Sequence, residues 1–463
     1  MRQIICKLFA TPALCVAAIL AHAALLRAAD MLPWPLANQI VAQAKPPVFP
    51  DKTFSVLSYG AAGDGKTDNT SAFSAAISAC NAAGGGHVVV PAGTYLTGAI
   101  LLKSNVDLHL EKGAVLMFDG DESEYPLEPT RNQGIDLINF SPLIYANGAA
   151  NIGITGDGIL DGTLTAKWNK QVGANWNRLV QMEKNSVPIA QRIFGPEHPL
   201  GTAFVEPYNC TNVLIQGITI QNAHWWQMHP TLSTNVIVDH VTTLSSAAHT
   251  DGCDPDGCDN VVIENCDLGA GDDDIAIKSG RDPDTQRVHR PSQNIVVINT
   301  QFHGPWGMIA CGSEQTEGIA HVFGYNLATD AGGEKWKGVR YVLYLKTSMQ
   351  RGGYIKDINV DNVTGQFNNA VVFINMSYSG EHESGGSVPP VVTGITLNNV
   401  SDKSVPQVLD LVGLENDPIG SITLSNCTFT GIQRTSTIQH VSHLVYQNVT
   451  INGSSVQSKP AQE

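Results

Sequence analysis

Charged side chains are scarce, only 15% of 463 residues, and basic ones are scarcer still: 27 Lys and Arg against 42 Asp and Glu, for a formal charge of −15. That balance excludes the basic footprint that nucleic acids and anionic membrane surfaces require, so neither is an expected partner. An acidic ligand would also find no long-range attraction, and a few local Lys and Arg would have to hold it. Long apolar runs are missing as well. The one candidate, Leu8 to Leu20, is too short to span a bilayer. Arg2 and Lys7 precede it, and Ala21-His22-Ala23 and Arg27-Ala28-Ala29 follow, which is the layout of a secretory signal peptide over residues 1–29, cleaved after Ala23 or Ala29. A secreted protein, extracellular or periplasmic, is expected. Of nine Cys, Cys6 and Cys15 leave with that signal and seven remain. An odd number in so large a chain argues against a disulfide scaffold, although Cys253 and Cys258 could pair across their turn. No zinc-type spacing and no EF-hand loop is present, and neither metal nor cofactor is expected.

What the chain does have is Gly, 44 residues, and 43% hydrophobic residues, enough for a core. Residues 30–50 are Pro-rich and read as a lead-in without a folded element. One helix is expected at about Asn69–Asn81, from Phe73, Ala76, Ile77 and Cys80 at helical spacing. Beyond it a pattern recurs: NIGITGDGIL from Asn151, NVLIQGITI from Asn212, NVIVDHVTT from Asn235, NVVIENCDL from Asn260 and NIVVINTQF from Asn294. Looser copies start at Tyr354, Val391 and Ser421. The starts at Asn212, Asn235 and Asn260 lie 23 and 25 residues apart, a solenoid period. Each copy is two short strands and a turn that cannot bury its apolar face alone, and stacking the copies can. No helix repeats between the strands, which disfavours a leucine-rich horseshoe, and a β-sandwich has no need of self-similar copies. A single parallel β-helix over 51–463 fits, with the recurring Asn stacked at one turn.

The stretch His249 to Gly280, HTDGCDPDGCDNVVIENCDLGAGDDDIAIKSG, concentrates the chemistry. Asp251 and Asp272 are 21 residues apart, close to one coil, so Asp251 and the run Asp272-Asp273-Asp274 face each other across one step of about 4.8 Å. Two carboxylates about 4 Å apart at an effective dielectric near 20 repel by roughly 4 kcal/mol, or about three pKa units. One of them should keep its proton near neutrality, which supplies the acid and the base that glycoside hydrolysis requires. Turn chemistry alone would scatter three consecutive Asp into solvent, whereas these run into the apolar strand IAIKSG. Calcium binding by the same oxygens is the rival reading.

These residues also resemble a known family, the polygalacturonases of glycoside hydrolase family 28, in its secreted bacterial branch. The resemblance is carried by YGAAGDGKTDNT, GGGHVVVPAGTYLTGAILLKSNVDLHL, SPLIYANGAANIGITGDGILDG, HTDGCDPDGCDN, GDDDIAIKSGRD and KTSMQRGG, in order over nearly the whole chain. It implies an all-β, single-domain, right-handed parallel β-helix that hydrolyses α-linked galacturonic acid chains of pectin with inversion, without a cofactor. Asp251 then takes the base role, Asp272 looks like the general acid, and Asp273 shares the base role. Asp274 stands where the family has a small residue, and would favour keeping the acid protonated if it faces inward. The family's Gly-His-Gly falls on a segment where Trp306 replaces His and His303 lies three residues earlier. Its Arg-Ile-Lys falls on Tyr344-Leu345-Lys346, keeping Lys and losing Arg. These replacements point to a modified or branched pectic chain, or to exo action.

Lys278, Arg281, Lys346 and, more weakly, Arg287, Arg290 and Arg351 are candidates for holding a sugar carboxylate. In HWWQMHP, a Trp ring could stack on sugar, though core packing suits at least one of Trp225 and Trp226, and His229 reads equally as structural. Residues 163–200 interrupt the repeats and resemble a loop laid over the cleft. The expected partner is a pectic chain or oligosaccharide, bound by a monomer. The rivals are a calcium-dependent pectate lyase and a non-catalytic carbohydrate-binding solenoid.

Overall fold

The Asn that opens each of the regular repeats sets the corner of its coil. Asn151, Asn212, Asn235 and Asn260 all have φ between 55° and 64°, in the left-handed region that Asn tolerates because its amide can bond locally. Here the amides bond one another: Asn151 donates to Asn105 at 2.9 Å, Asn212 to Asn151 at 2.9 Å and Asn235 to Asn212 at 3.0 Å. A second ladder runs through Asn299, Asn326, Asn362 and Asn399, also left-handed, each donating to the Asn of the preceding coil. Over these coils one residue type supplies both the corner conformation and the stacking; further along the first column His321, Asp357 and Gly394 take the same left-handed corner.

The computed structural model describes residues 31–458 except 171, 283–287, 331, 333–335 and 381–384. The expected signal peptide and Arg287 lie outside the described residues. Between the Asn corners the strands pair in parallel, coil upon coil, which makes the molecule a parallel β-helix. One inward column runs Ile144, Val205, Met228, Cys253, Ile275, Ile309, Leu343, Val372 and Leu409, every member buried. The expected helix is present as Thr70–Ala82 and buries Phe73, Ala76, Ile77 and Cys80 against the first coils. All seven described cysteines are free and buried, Cys253 and Cys258 included, so the pairing across their turn is not made.

The lead-in departs from expectation. It contains a helix, Pro35–Gln43, whose Ala37 and Ile40 pack on Leu214, Ile237, Val262, Val296 and Phe323. Those residues are the middle positions of successive repeats, paired coil to coil and pointing away from the core. An apolar residue there means that both faces of the sheet are covered, and the helix supplies the cover.

Residues 163–200 also depart from expectation, because they are not a loop. A 3-10 helix, Thr163–Lys170, and an α-helix, Val172–Lys184, precede a short 3-10 turn at Ile189–Gln191. Trp176, Leu179 and Val180 pack with Ile135 and Leu137 of an antiparallel hairpin, Leu127–Asn132 and Ile135–Phe140. Hairpin and helix thus form a small unit with its own core, seated on the outer face of the solenoid.

Candidate active site

The site lies on the outer face of the sheet built from Ile275–Ile277, Gly307–Cys311 and Tyr341–Lys346. Gly252 N donates to Asp273 O at 3.1 Å and Cys253 N to Asp274 O at 2.9 Å, which lays the HTDG turn against the triple Asp. A Cβ on Gly252 would come within 2.4 Å of Asp274 O, so this approach requires glycine. Asp251 and Asp273 are buried and Asp272 is half-buried.

Two lysines stand among these carboxyls. Lys278 Nζ is 3.4 Å from Asp254, 3.5 Å from Glu314 and 3.8 Å from Asp251. Lys346 Nζ is 2.8 Å from Asp273, whose other oxygen accepts from Gly307 N at 2.9 Å. Burial pushes Asp272 up to about 7, reinforced by the charges of Asp251 and Asp273. Burial also lifts Asp251, to about 6, with Lys278 opposing and Asp273 adding. Asp254, fully buried beside Asp251, is driven well above the carboxylate range by burial and by that neighbour's charge. For Glu314, burial is outweighed by Lys278, Arg281 and Arg351, which hold it down to about 2. The arrangement therefore offers a protonated carboxyl and an ionised one on one surface, near neutral pH. A calcium ion would need several of these oxygens at once. Lys278 already stands against Asp251, Asp254 and Glu314 and Lys346 against Asp273, and among the described residues no group of three or more His, Cys, Asp or Glu is placed to hold a metal.

Asp274 faces inward but does not act as expected from the sequence. Its carboxyl accepts from Gly304 N at 2.8 and 3.0 Å, and burial pushes it well above the usual range. The charges pressing on Asp272 are those of Asp251 and Asp273. Asp274 ties the Gly304–Gly307 turn to the coil before it.

Lys278 and Lys346 reach the carboxyls, and Lys278 lies 4.5 Å above the ring of Trp226. The Arg281 side chain is buried under Trp176, 5.1 Å from its ring, with Asp282 and Glu314 beside it, and the backbone N–H of Arg281 donates to Gly134 O in the hairpin turn. Trp306 stacks on Tyr344 at 5.8 Å, and Tyr344 on Tyr341 at 4.7 Å. Lys346 sits 4.3 Å over Tyr344. His303 turns aside: its Nε2 bonds Asp267 at 2.6 Å and its ring lies along Trp336. Arg290 donates to Leu232 O, and Arg351 pairs with Asp282. Trp225 and Trp226 are both buried, with exposed His249 stacked on Trp225 at 4.9 Å. His229 is structural, wedged between Glu206 and Asp256, and Arg131 of the hairpin reaches the same Asp256 at 3.0 Å.

Sequence reasoning missed Asp254 and Glu314. Asp254 follows Asp251 by three residues in HTDGCD and was available to it. Glu314, in CGSE, was not, because nothing local marks it as facing Lys278.

The sequence profile described as Glycosyl hydrolases family 28 matches residues 80–450. The chain belongs to glycosyl hydrolase family 28. Among its relatives, a probable polygalacturonase of Vitis vinifera is 30% identical over 394 residues, covering 81% of this chain and 73% of the relative. An exo-poly-alpha-D-galacturonosidase of Dickeya chrysanthemi is 29% identical over 302 residues, 59% of this chain and 50% of the relative. Among solved structures, the exopolygalacturonase of Thermotoga maritima superposes with a TM-score of 0.86 at 33% identity, covering 92% of this chain and 99% of that one. This family 28 hydrolase therefore carries its buried, lysine-laced carboxyls on the parallel β-helix of its relatives. No helix among its described residues is long and apolar enough to cross a membrane.

Proposed function

We propose that this glycoside hydrolase cleaves α-linked galacturonic acid residues from pectic chains by inversion, acting from a chain end. The observation that carries the reading is the gathering of Asp251 and the run Asp272-Asp273 on adjacent coils, locked by the bond from Gly252 N to Asp273 O and with the Asp273 carboxyl clamped between Gly307 N and Lys346; burial and mutual charge then raise both Asp251 and Asp272. Asp272, holding the proton, donates it to the glycosidic oxygen as that bond breaks. A water on the opposite face of the sugar attacks the anomeric carbon and gives its proton to Asp251. Asp273, held by Lys346, stabilises positive charge developing on the ring and steadies the water. Inversion requires room for that water, a carboxyl separation of about 6.5–9.5 Å.

Exo action is supported by the names of two relatives, an exo-poly-alpha-D-galacturonosidase and an exopolygalacturonase, and by the hairpin-and-helix unit seated at Arg281, beside the site. Secretion is part of the same reading, on the strength of residues 1–29. Incubation with galacturonan oligomers tests it. Release of single saturated sugars with new reducing ends supports it; products absorbing in the ultraviolet, with loss of activity on chelation, would establish a lyase instead.

A further inference from the structure

Each candidate cation beside the carboxyls is already matched by a carboxylate: Lys278 by Asp254 and Glu314, Arg281 by Asp282, Lys346 by Asp273, Arg351 by Asp282 and Arg131 by Asp136. An acidic sugar would have to compete for every one of them. Arg340 differs. It is half-buried, pairs with no carboxylate among the described residues, and its guanidinium lies 3.9 Å over the ring of Trp306.

Its place follows from the register. Ile275 pairs with Ile309, and Gly307 with Tyr341, so Asp272, Trp306 and Arg340 occupy successive coils of one row. Arg340 N donates to Trp306 O at 2.9 Å, which fixes the step. Two coils of about 4.8 Å separate Arg340 from Asp272, and one coil is close to the length of one sugar unit. A guanidinium held over an indole leaves edge N–H groups available, the edge that grips a carboxylate with two parallel bonds. The stacking also removes rotamer freedom before any ligand arrives, so less is lost on binding. Trp306 is in turn backed by Tyr344, the residue standing where the family motif has Arg.

We infer that Arg340, held on Trp306, binds the carboxylate of the second sugar along the groove from Asp272, and so selects an acidic unit there over an esterified or neutral one. The inference rests on the reading of the substrate as a pectic chain, and deepens it by naming the charge recognised.

The test is Arg340→Leu and Arg340→Lys, assayed on trigalacturonate and on its methyl ester. Arg340→Leu should raise KM for trigalacturonate about tenfold, with the loss in KM rather than kcat, and should do much less to the ester; Arg340→Lys should recover part. Equal losses on both substrates, or none, would overturn the inference and leave Arg340 as a support for Trp306. Calorimetric titration of trigalacturonate into Asp272→Asn, with and without Arg340→Leu, separates the two readings. Arg340-dependent binding by a parent protein that hydrolyses nothing would reject the hydrolase and keep the site. Turnover with Arg340-independent affinity would do the reverse, and the absence of turnover by the parent together with the absence of affinity in either background rejects both.

Discussion

At the residue scale, the pair Asp251 and Asp272 sets a narrow working range. Asp251 must be ionised to take a proton, so activity is lost as pH falls through about 6. Asp272 must be protonated to donate, so activity is lost as pH rises through about 7. The pH profile of kcat/KM should be a bell with its maximum between those limits, and the two limbs belong to the coupled set rather than to single residues. A plateau extending to pH 9 would contradict the acid role of Asp272. Asp272→Asn should lower kcat by about 10²–10⁴-fold while sparing affinity for a pectic oligomer. Much of this was legible in the spacing of HTDG and GDDD, since a separation near one coil forces the carboxyls together. The surroundings were not. That Asp274 turns to Gly304 N, that His303 bonds Asp267 and that Glu314 meets Lys278 all depend on side-chain direction and on residues thirty or more positions away.

At the element scale, the Asn ladder is the device that holds the corner. Asn235→Ala puts a Cβ residue without a bonding amide at φ 56° and removes the bonds to Asn212 and from Asn260. It should cost about 1–3 kcal/mol in urea unfolding. Asn235→Gly should cost less, because it loses the bonds but not the backbone freedom. Equal costs would show that the ladder bonds, rather than the corner conformation, dominate. The regular repeats announced this ladder because the copies from Asn151 to Asn294 each begin with Asn. The helix at Pro35–Gln43 was hidden by its short, Pro-bounded sequence, yet its landing surface was visible as the unbroken Val-Leu-Ile, Val-Ile-Val and Val-Val-Ile runs, where strict alternation would have a polar middle residue. The helix Val172–Lys184 was overlooked for a different reason: its apolar side rests on a hairpin inserted between coils, not on the solenoid. Trp176, almost fully buried, anchors it. Trp176→Ala should remove about 3–5 kcal/mol of packing and speed proteolysis within residues 172–184.

At the scale of the whole molecule, the charge of −15 opposes approach of an acidic chain, and attraction is confined to side chains on the groove. Added salt screens that repulsion, with a Debye length of about 10 Å at 0.1 M. The association rate of galacturonate oligomers should therefore rise between about 0.02 and 0.2 M salt, where a basic protein would show a fall; stopped-flow binding to Asp272→Asn decides it. The stacked coils give the site its rigidity, because Asp251, Asp273, Gly307 and Tyr341 are each set by parallel pairing with the coil before. The stereochemistry of hydrolysis tests this geometry most directly. Proton NMR of the first product released from an α-linked galacturonan should show the β anomer first, with the α anomer growing in by mutarotation, as a single displacement by water between Asp251 and Asp272 requires. The α anomer appearing first would mean a covalent intermediate on a closer pair of carboxyls, and would contradict the assignment of these residues.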